Sequence, residues 1–373
     1  MKVLGIGYGR HLFDQNNFEF YRLNRCAEEV ESFDQIIFAN KNAGLKTVTT
    51  ENNFILHPTN SINKFLMIFD AVRIGSQLIE EKKIDVISTQ DVFETGVVGV
   101  ILKLKYPHVR LQVQEHGDVL SSVHWRREKM SNRFRYLFAR FLLLPRADII
   151  RVVSDRTQTF LYSFLGEQKN IKKLPVVIDT TEFVKELERV DRVPSENFVL
   201  LTAARYVPQK NFTLMLKAFA RAQAQIPNLR LRIFGDGPEK KNIKHLIHSL
   251  HLSDVVEMND WTNNLVGEMQ RADAYLLTSN YEGWARVLIE SVLQELPVVT
   301  TDVGCVNEVI KDMEHGLVVP VGDCQKLTEA IQKIASDVSL YTTIVNYLKT
   351  VEKSKIPGTD VDAYAEQWVQ TLR

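Results

Sequence analysis

Short apolar runs of strand character alternate with helix-patterned segments along nearly the whole chain, and this alternation leaves few folds open to it. In the first half the runs are "KVLGIG", "QIIFAN", "IDVIST", "VRLQVQ" and "ADIIRVVS", each followed by an amphipathic or glycine-punctuated segment. That is the βαβ rhythm of a parallel sheet. After "DRVPSEN" a second series begins, with "FVLLTAAR", "LRLRIFGDG", "VVEMND", "DAYLLTS", "PVVTTD" and "GLVVP". A rhythm that restarts predicts two α/β units, and 373 residues suit two cores better than one. Residues 179–197, "DTTEFVKELERVDRVPSEN", lose apolar periodicity and gain charge, as an interdomain connection does. The expected division is 1–180, 195–350 and a C-terminal segment 351–373.

Charge and cysteine usage narrow the function classes. Basic and acidic residues balance at 46 each, so no overall field draws the chain to nucleic acid, and recognition falls to specific sites. A hydrophobic fraction of 45% excludes a disordered interaction tail. Cys26, Cys305 and Cys324 are too few and too widely spaced for a disulfide framework or a zinc knuckle, which suits a reducing cytoplasm. The apolar run in "MKVLGIGYGR" is too short for a signal peptide, and no stretch supplies the 18 or so apolar residues that span a bilayer.

Ligands of open α/β sheets bind beyond the carboxyl ends of strands, so strand-end motifs carry the search. "ARYVPQKNF" places Arg205 at a strand end and Lys210 where a helix begins. Two cations beside free helix-start amides suit a diphosphate; solvated loop side chains are the bland alternative. In "SNYEGWARVLIE" the strand "ADAYLLTS" gives way to the helix "RVLIESVLQ", with Glu282 in the turn and Glu290 one to two helical turns later. The amides from Gly283 through Trp284, Ala285, Arg286 and Val287 then lie at a helix start that favours anions. Two carboxylates flanking a phosphate-binding turn match the hydroxyl pairs of a ribose and a hexose, each charge-assisted hydrogen bond contributing about 1.5 to 3 kcal/mol. A helix-capping Glu282 and a surface Glu290 would look the same in isolation.

Four motifs in order remove that isolation: "RYVPQKN", "FGDGPEKKNI", "YEGWARVLIESVLQELPVVTTDVGCVNEVI" and "EHGLVVPVGD". Together they closely resemble the C-terminal half of the retaining GT-B glycosyltransferases of family four, strongly over residues 195–325 and loosely before them. The resemblance implies an α/β GT-B fold, two Rossmann-like domains facing each other across a cleft, with the last helix crossing back to the first domain. It implies a hexose moved from a nucleotide diphosphate sugar to a glycan or lipid-linked hydroxyl with retention, and no cofactor besides that donor. By resemblance Arg205 and Lys210 are the diphosphate cations, Glu290 the ribose carboxylate and Glu282 the carboxylate of the transferred sugar. The backbone after Glu282 would bind sugar hydroxyls and phosphate, Gly304 in "DVGCVNE" would let another loop approach, and Glu308 is a lesser member of the site.

The departures are local. Ala285 stands where the family commonly has glycine, Arg286 where it has an apolar residue, and Asp260 where a glycine lines the base. In the first half, "GIGYGRH" lacks the third glycine of a dinucleotide fingerprint, but by resemblance Gly7 and Gly9 face the donor phosphates and acceptor; a tight strand-to-helix turn is the alternative. His116 in "QEHGD" matches the family's His-Gly at the sheet edge and is expected to contact donor sugar or acceptor, with Asp118 a lesser candidate. Residues 125–146, "WRREKMSNRFRYLFARFLLLPR", interleave seven basic residues with apolar ones, either as a helix on an anionic membrane or as one packed on the sheet with a solvated basic face. The DxD pair Asp360 and Asp362 reads as the cap of the last helix, so no catalytic metal is expected. The rival readings are a nucleotide-sugar epimerase of GT-B shape and an inactive nucleotide-binding partner subunit.

Overall fold

The computed structural model describes residues 1–180, 183 and 196–373, so most of the expected interdomain connection at 179–197 lies outside the described residues. The chain forms two compact units, Met1–Val177 with Asp360–Arg373, and Ile178–Thr359.

In the first unit the strands are β1 Lys2–Gly7, β2 Ser32–Ile37, β3 Val48–Thr49, β4 Phe54–Pro58, β5 Val86–Thr89, β6 Arg110–Glu115, β7 Ile149–Val152 and β8 Ile171–Lys173. They make one sheet in the order β3-β4-β2-β1-β5-β6-β7-β8, parallel except for β3 at the edge. The strands β3, β4 and β8 carry no sequence signal of their own, being too short to show a period or ending in proline. Helices α1 Phe18–Glu28, α2 Leu66–Lys82, α3 Glu94–Lys105, α4 Val123–Glu128, α5 Met130–Phe138 and α6 Asp155–Leu165 connect them.

Alternation of side chains along the strands gives this sheet two different faces. One buries Leu4, Ile6, Ile87, Leu111 and Val113 with residues of α2, α3 and α6. The other buries Val3, Phe33, Phe54 and Val86 with α1.

The second unit has β9 Phe198–Ala203, β10 Leu229–Phe234, β11 Val256–Asn259, β12 Ala274–Leu277, β13 Val298–Thr301 and β14 Gly316–Val319, all parallel in the order β11-β10-β9-β12-β13-β14. Its helices are α7 Phe212–Gln223, α8 Lys240–Ser249, α9 Leu265–Gln270, α10 Arg286–Leu293, α11 Cys324–Ser336 and α12 Val338–Thr350. The "FGDG" motif is a close approach of two strand-end loops: a Cβ at Gly235 would lie 2.0 Å from the Ala204 carbonyl oxygen.

The chain then returns to the first unit as α13, Val361–Thr371. Asp360 caps it, accepting from the amides of Asp362 (2.8 Å) and Ala363 (3.0 Å), while Asp362 pairs with Arg25 of α1 at 2.6 Å. Trp368 packs on Phe33, ring centroids 5.1 Å apart, so the last helix completes the first core. Trp368→Ala is expected to cost about 3 to 5 kcal/mol of first-unit stability, as deletion of a buried aromatic does. Hydrogen exchange should rise in β1 and β2 and stay unchanged in β9 and β12.

Candidate active site

Strand order in the second unit reverses between β9 and β12, the crevice where open sheets bind ligands. The loops leaving those strands are stitched together. Beyond β9, Pro208–Lys210 form a single 3-10 turn, and Asn211, with φ of 49°, caps α7 by accepting from Leu214 N. The Asn211 side-chain amide donates to Asn280 Oδ1 (2.9 Å), Asn280 N to the Gln209 carbonyl (2.8 Å), and Thr278 Oγ1 to the Lys210 carbonyl (2.9 Å). Lys210 is therefore held by its backbone against the end of β12.

Its side chain meets Glu282. Lys210 Nζ donates to Glu282 Oε1 at 2.5 Å, Ser279 Oγ donates to the same oxygen at 2.6 Å, and Gln209 Nε2 approaches Oε2 at 3.4 Å. Glu282 is 9% exposed, so these donors replace the water that a carboxylate would otherwise need. The residues expected to serve the diphosphate, Lys210, and the transferred sugar, Glu282, thus form a direct ion pair. Two Nζ–H bonds of Lys210 and most of the acceptor capacity of Oε2 stay uncommitted. Arg205 stands outside this network, exposed at the strand end. Gln209 and Ser279 escape a sequence reading, since polar loop residues carry no period to mark them.

The turn after Glu282 shows why glycine is the common residue at its end. Ala285 takes the left-handed conformation, φ 56° and ψ 58°, and then α10 starts at Arg286. Gly304, φ 59°, packs against it: a Cβ there would sit 2.8 Å from the Trp284 carbonyl carbon and 2.9 Å from the Ala285 Cβ. Cys305 N donates to the Trp284 carbonyl at 3.1 Å, fixing the two loops together. Gly283 and Trp284 are buried, Val287 is half-buried, and Arg286 is exposed at the helix start. The Glu290 carboxylate, one turn on, is half-buried; burial raises it above the usual carboxylate range, and Arg286 partly offsets that. Asp260 forms an exposed ion pair with Lys240 at 2.6 Å.

In the first unit the order reverses at β1 and β5. Gly7 ends β1, and a Cβ on it would lie 2.4 Å from Gln90 Oε1, the same oxygen that accepts from Tyr8 N at 2.7 Å. Gly9 has φ of 109° and precedes a 3-10 turn, Arg10–Phe13. Beyond β6, His116 Nε2 lies 2.5 Å from Gln114 Oε1. Burial, with Arg151 and Arg22 adding like-charge repulsion, drives His116 well below the usual histidine range, so the ring is neutral. Asp118, φ 52°, accepts from Ser121 Oγ (2.5 Å) and Thr157 Oγ1 (3.0 Å) and so holds the loop; burial lifts it to about 6. Glu115, 3% exposed, accepts from Gly117 N (3.2 Å) and Val119 N (3.0 Å), and burial pushes it up to about 8.

The basic stretch does not present a merely basic face. After α5 the helix continues as one π turn, Ala139–Leu143. Ala139, Leu143 and Leu144 are buried, while Met130, Phe134, Leu137, Phe138, Phe141 and Leu142 are exposed, Phe134 at 68%. Exposed Arg127, Lys129, Arg133 and Arg146 flank this apolar stripe, and no acidic residue lies between 129 and 147. Among the described residues no helix is long and apolar enough to cross a membrane.

Residues 183–351 match the family described as glycosyl transferases group 1. The lipopolysaccharide core biosynthesis glycosyltransferase LpsE of Rhizobium meliloti is 30% identical over 186 residues, 49% of this chain and 52% of that protein. The chain thus spans about half the length of this curated relative, and 21% and 37% of two others. Sucrose-phosphate synthase from Thermosynechococcus elongatus superposes with a TM-score of 0.79 over 99% of this chain and 98% of that one, at 17% identity. HepE from Anabaena, in complex with UDP, gives 0.71 over 100% and 99% at 18% identity. Both units are Rossmann-like, and the fold is GT-B.

Glu115 sets a pH dependence for the first unit. Its carboxyl ionises near 4.5 in ordinary surroundings and at about 8 in the folded chain, so its stabilising contribution is whole below 4.5 and lost as pH rises through 8. Glu115→Gln keeps an acceptor for both amides and removes the titration. Urea unfolding at several pH values should show the wild type falling progressively below this variant across that window; parallel curves would contradict it.

Proposed function

We propose that this chain, whose residues 183–351 belong to the group 1 glycosyl transferases, moves a hexose from a nucleoside diphosphate sugar to a hydroxyl of a glycan or lipid-linked acceptor. The observation that carries the proposal is the Lys210–Glu282 pair at the switch point of the second unit, inside the family-matched segment. Lys210 has two N–H bonds left for phosphate oxygens, and Glu282 Oε2 has lone pairs left for sugar hydroxyls. The half-buried Glu290 carboxylate is suited to the ribose hydroxyl pair. The UDP bound to HepE supports a nucleoside diphosphate as leaving group, and LpsE's role in lipopolysaccharide core synthesis supports a glycolipid acceptor.

Chemistry in this reading rests on charge. As the bond from the anomeric carbon to the phosphate oxygen breaks, negative charge grows on the departing diphosphate. Lys210, Arg205 and the amides opening α10 stabilise it without a metal ion. The acceptor hydroxyl adds to the face the diphosphate leaves, its proton passing to a leaving phosphate oxygen, so configuration is retained. His116 contacts the donor sugar or the acceptor. Incubation with a panel of nucleoside diphosphate sugars in excess EDTA should release nucleoside diphosphate with acceptor present. Turnover of the donor to an epimer, or activity only after magnesium is restored, would contradict the reading.

The paired geometry predicts a division of labour. Lys210→Ala should weaken nucleoside diphosphate binding on the order of tenfold and slow transfer, since one cation serves both ground and transition states. Glu282→Gln releases Lys210 for phosphate and should keep that affinity within about twofold while lowering transfer on the order of a hundredfold. Calorimetry with the diphosphate alone, beside transfer rates, separates them. Equal loss of affinity in both variants would sink the assignment.

We also propose that the apolar stripe of residues 130–142 with its basic flanks rests on an anionic membrane face, each near-surface Lys or Arg contributing about 1 kcal/mol. The protein should sediment with phosphatidylglycerol vesicles and be released by salt. Phe134→Ser with Phe141→Ser should abolish sedimentation; equal sedimentation with neutral phosphatidylcholine vesicles would overturn the role of the charges.

A further inference from the structure

On the face of the first sheet that α13 covers, β5, β6 and β7 carry polar side chains where their other face carries Ile87, Leu111, Val113 and Ile150. Ser88 is in register with Gln112, and Gln114 with Arg151. Arg151 is 2% exposed, and its guanidinium meets neutral acceptors. Its Nη1 donates to Gln114 Oε1 (3.1 Å), and its Nη2 to Tyr364 Oη (2.9 Å) and the Leu174 carbonyl (3.3 Å). Tyr364 Oη also accepts from Arg22 at 3.0 Å, so α13 clamps the guanidinium in place.

A guanidinium only donates, which fixes every group along the line. Gln114 must turn its carbonyl to Arg151, and its amide nitrogen then donates to Ser88 Oγ at 2.7 Å. Ser88 Oγ donates to Gln112 Oε1 (2.9 Å), and Gln112 Nε2 donates to the Thr371 carbonyl (2.6 Å). That last carbonyl only accepts, which orients Gln112; the Ser88 hydroxyl can give its hydrogen to either glutamine, so it is Arg151 that decides which way Gln114 faces. His116 Nε2 faces Gln114 Oε1, an acceptor, and must carry the hydrogen.

We infer that Arg151, acting through Gln114 and clamped by Tyr364, is a positioning residue that fixes His116 as the Nε2–H tautomer, leaving Nδ1 as a hydrogen-bond acceptor for a substrate hydroxyl. The ring is neutral for the reasons given above, so it holds one proton, and the line decides which nitrogen holds it. Only the last clause, the substrate hydroxyl, rests on the proposed transfer function. The tautomer is a property of the free protein.

Two-bond proton–nitrogen correlation on the full chain, deuterated and labelled with ¹⁵N-histidine, reads the tautomer directly; the His116 signals are those missing from His116→Gln. The wild type at neutral pH should show Nδ1 as the unprotonated nitrogen and Nε2 as the protonated one. Arg151→Met frees the Gln114 amide to rotate, and both nitrogens should move to averaged positions, whereas Arg151→Lys keeps a donor and the wild-type pattern. Gln114→Leu removes the acceptor and should average them too, which keeps the test open if Arg151→Met does not fold. A protonated Nδ1 in the wild type, or an unchanged pattern in folded Arg151→Met or Gln114→Leu, overturns the inference. If the pattern behaves as stated but His116→Gln transfers hexose at the wild-type kcat, the transfer role of His116 fails and the tautomer assignment stands.

Discussion

A carboxylate kept from water must have its charge answered nearby, and Glu282 has it answered by residues from both sides of a strand-order reversal. Lys210 and Gln209 come from the loop after β9, Ser279 from the loop after β12. The same pairing therefore closes the crevice floor and sets the spacing between a cation and an anion. Around it, backbone geometry takes over: a left-handed Ala285 ends the turn, and Gly304 leaves room for it. The site is a junction of three loops, each short because the strands beneath hold their starts in register.

Much of this architecture was legible in the order of the residues. Buried parallel strands such as "AYLL" read as near-continuous apolar runs, and the eleven strand-like runs named from the sequence all became strands. Strands of two to five residues, β3, β4 and β8, were not legible, since their pairing comes from neighbours rather than from their own pattern. The Glu282 turn was legible as a strand-to-helix junction, but its ion pair was not: Lys210 is 72 positions away, and no local rule joins them. For the basic stretch, composition gave the charges, while the structure assigned Ala139 and Leu143 inward and Phe134 and Phe141 outward.

The polar half-face of the first sheet was visible in outline yet carries no meaning until folded. "LQVQ" alternates strictly, and "IIRV" holds an arginine in an apolar run, both odd for strands covered on two sides. Alternation says that Gln112, Gln114 and Arg151 share a face; it does not say that a helix from the far end of the chain covers them. Gln114, Tyr364 and the Leu174 carbonyl all accept from Arg151, so its buried donors hold the fold and set the orientation of Gln114 together.

That distant helix has a consequence in time as well as in space. Ribosomes make the first unit's sheet early but its last layer only after all of residues 178–359, an interval on the order of ten seconds at ordinary rates of synthesis. During that interval Phe33 lacks the Trp368 ring that later packs on it, and Arg151 lacks the Tyr364 hydroxyl. A nascent chain interrupted anywhere in the second unit therefore carries an unfinished first one, open to chaperones and proteases. The first sheet therefore closes only once residues 361–371 have emerged, after the whole second unit has been made.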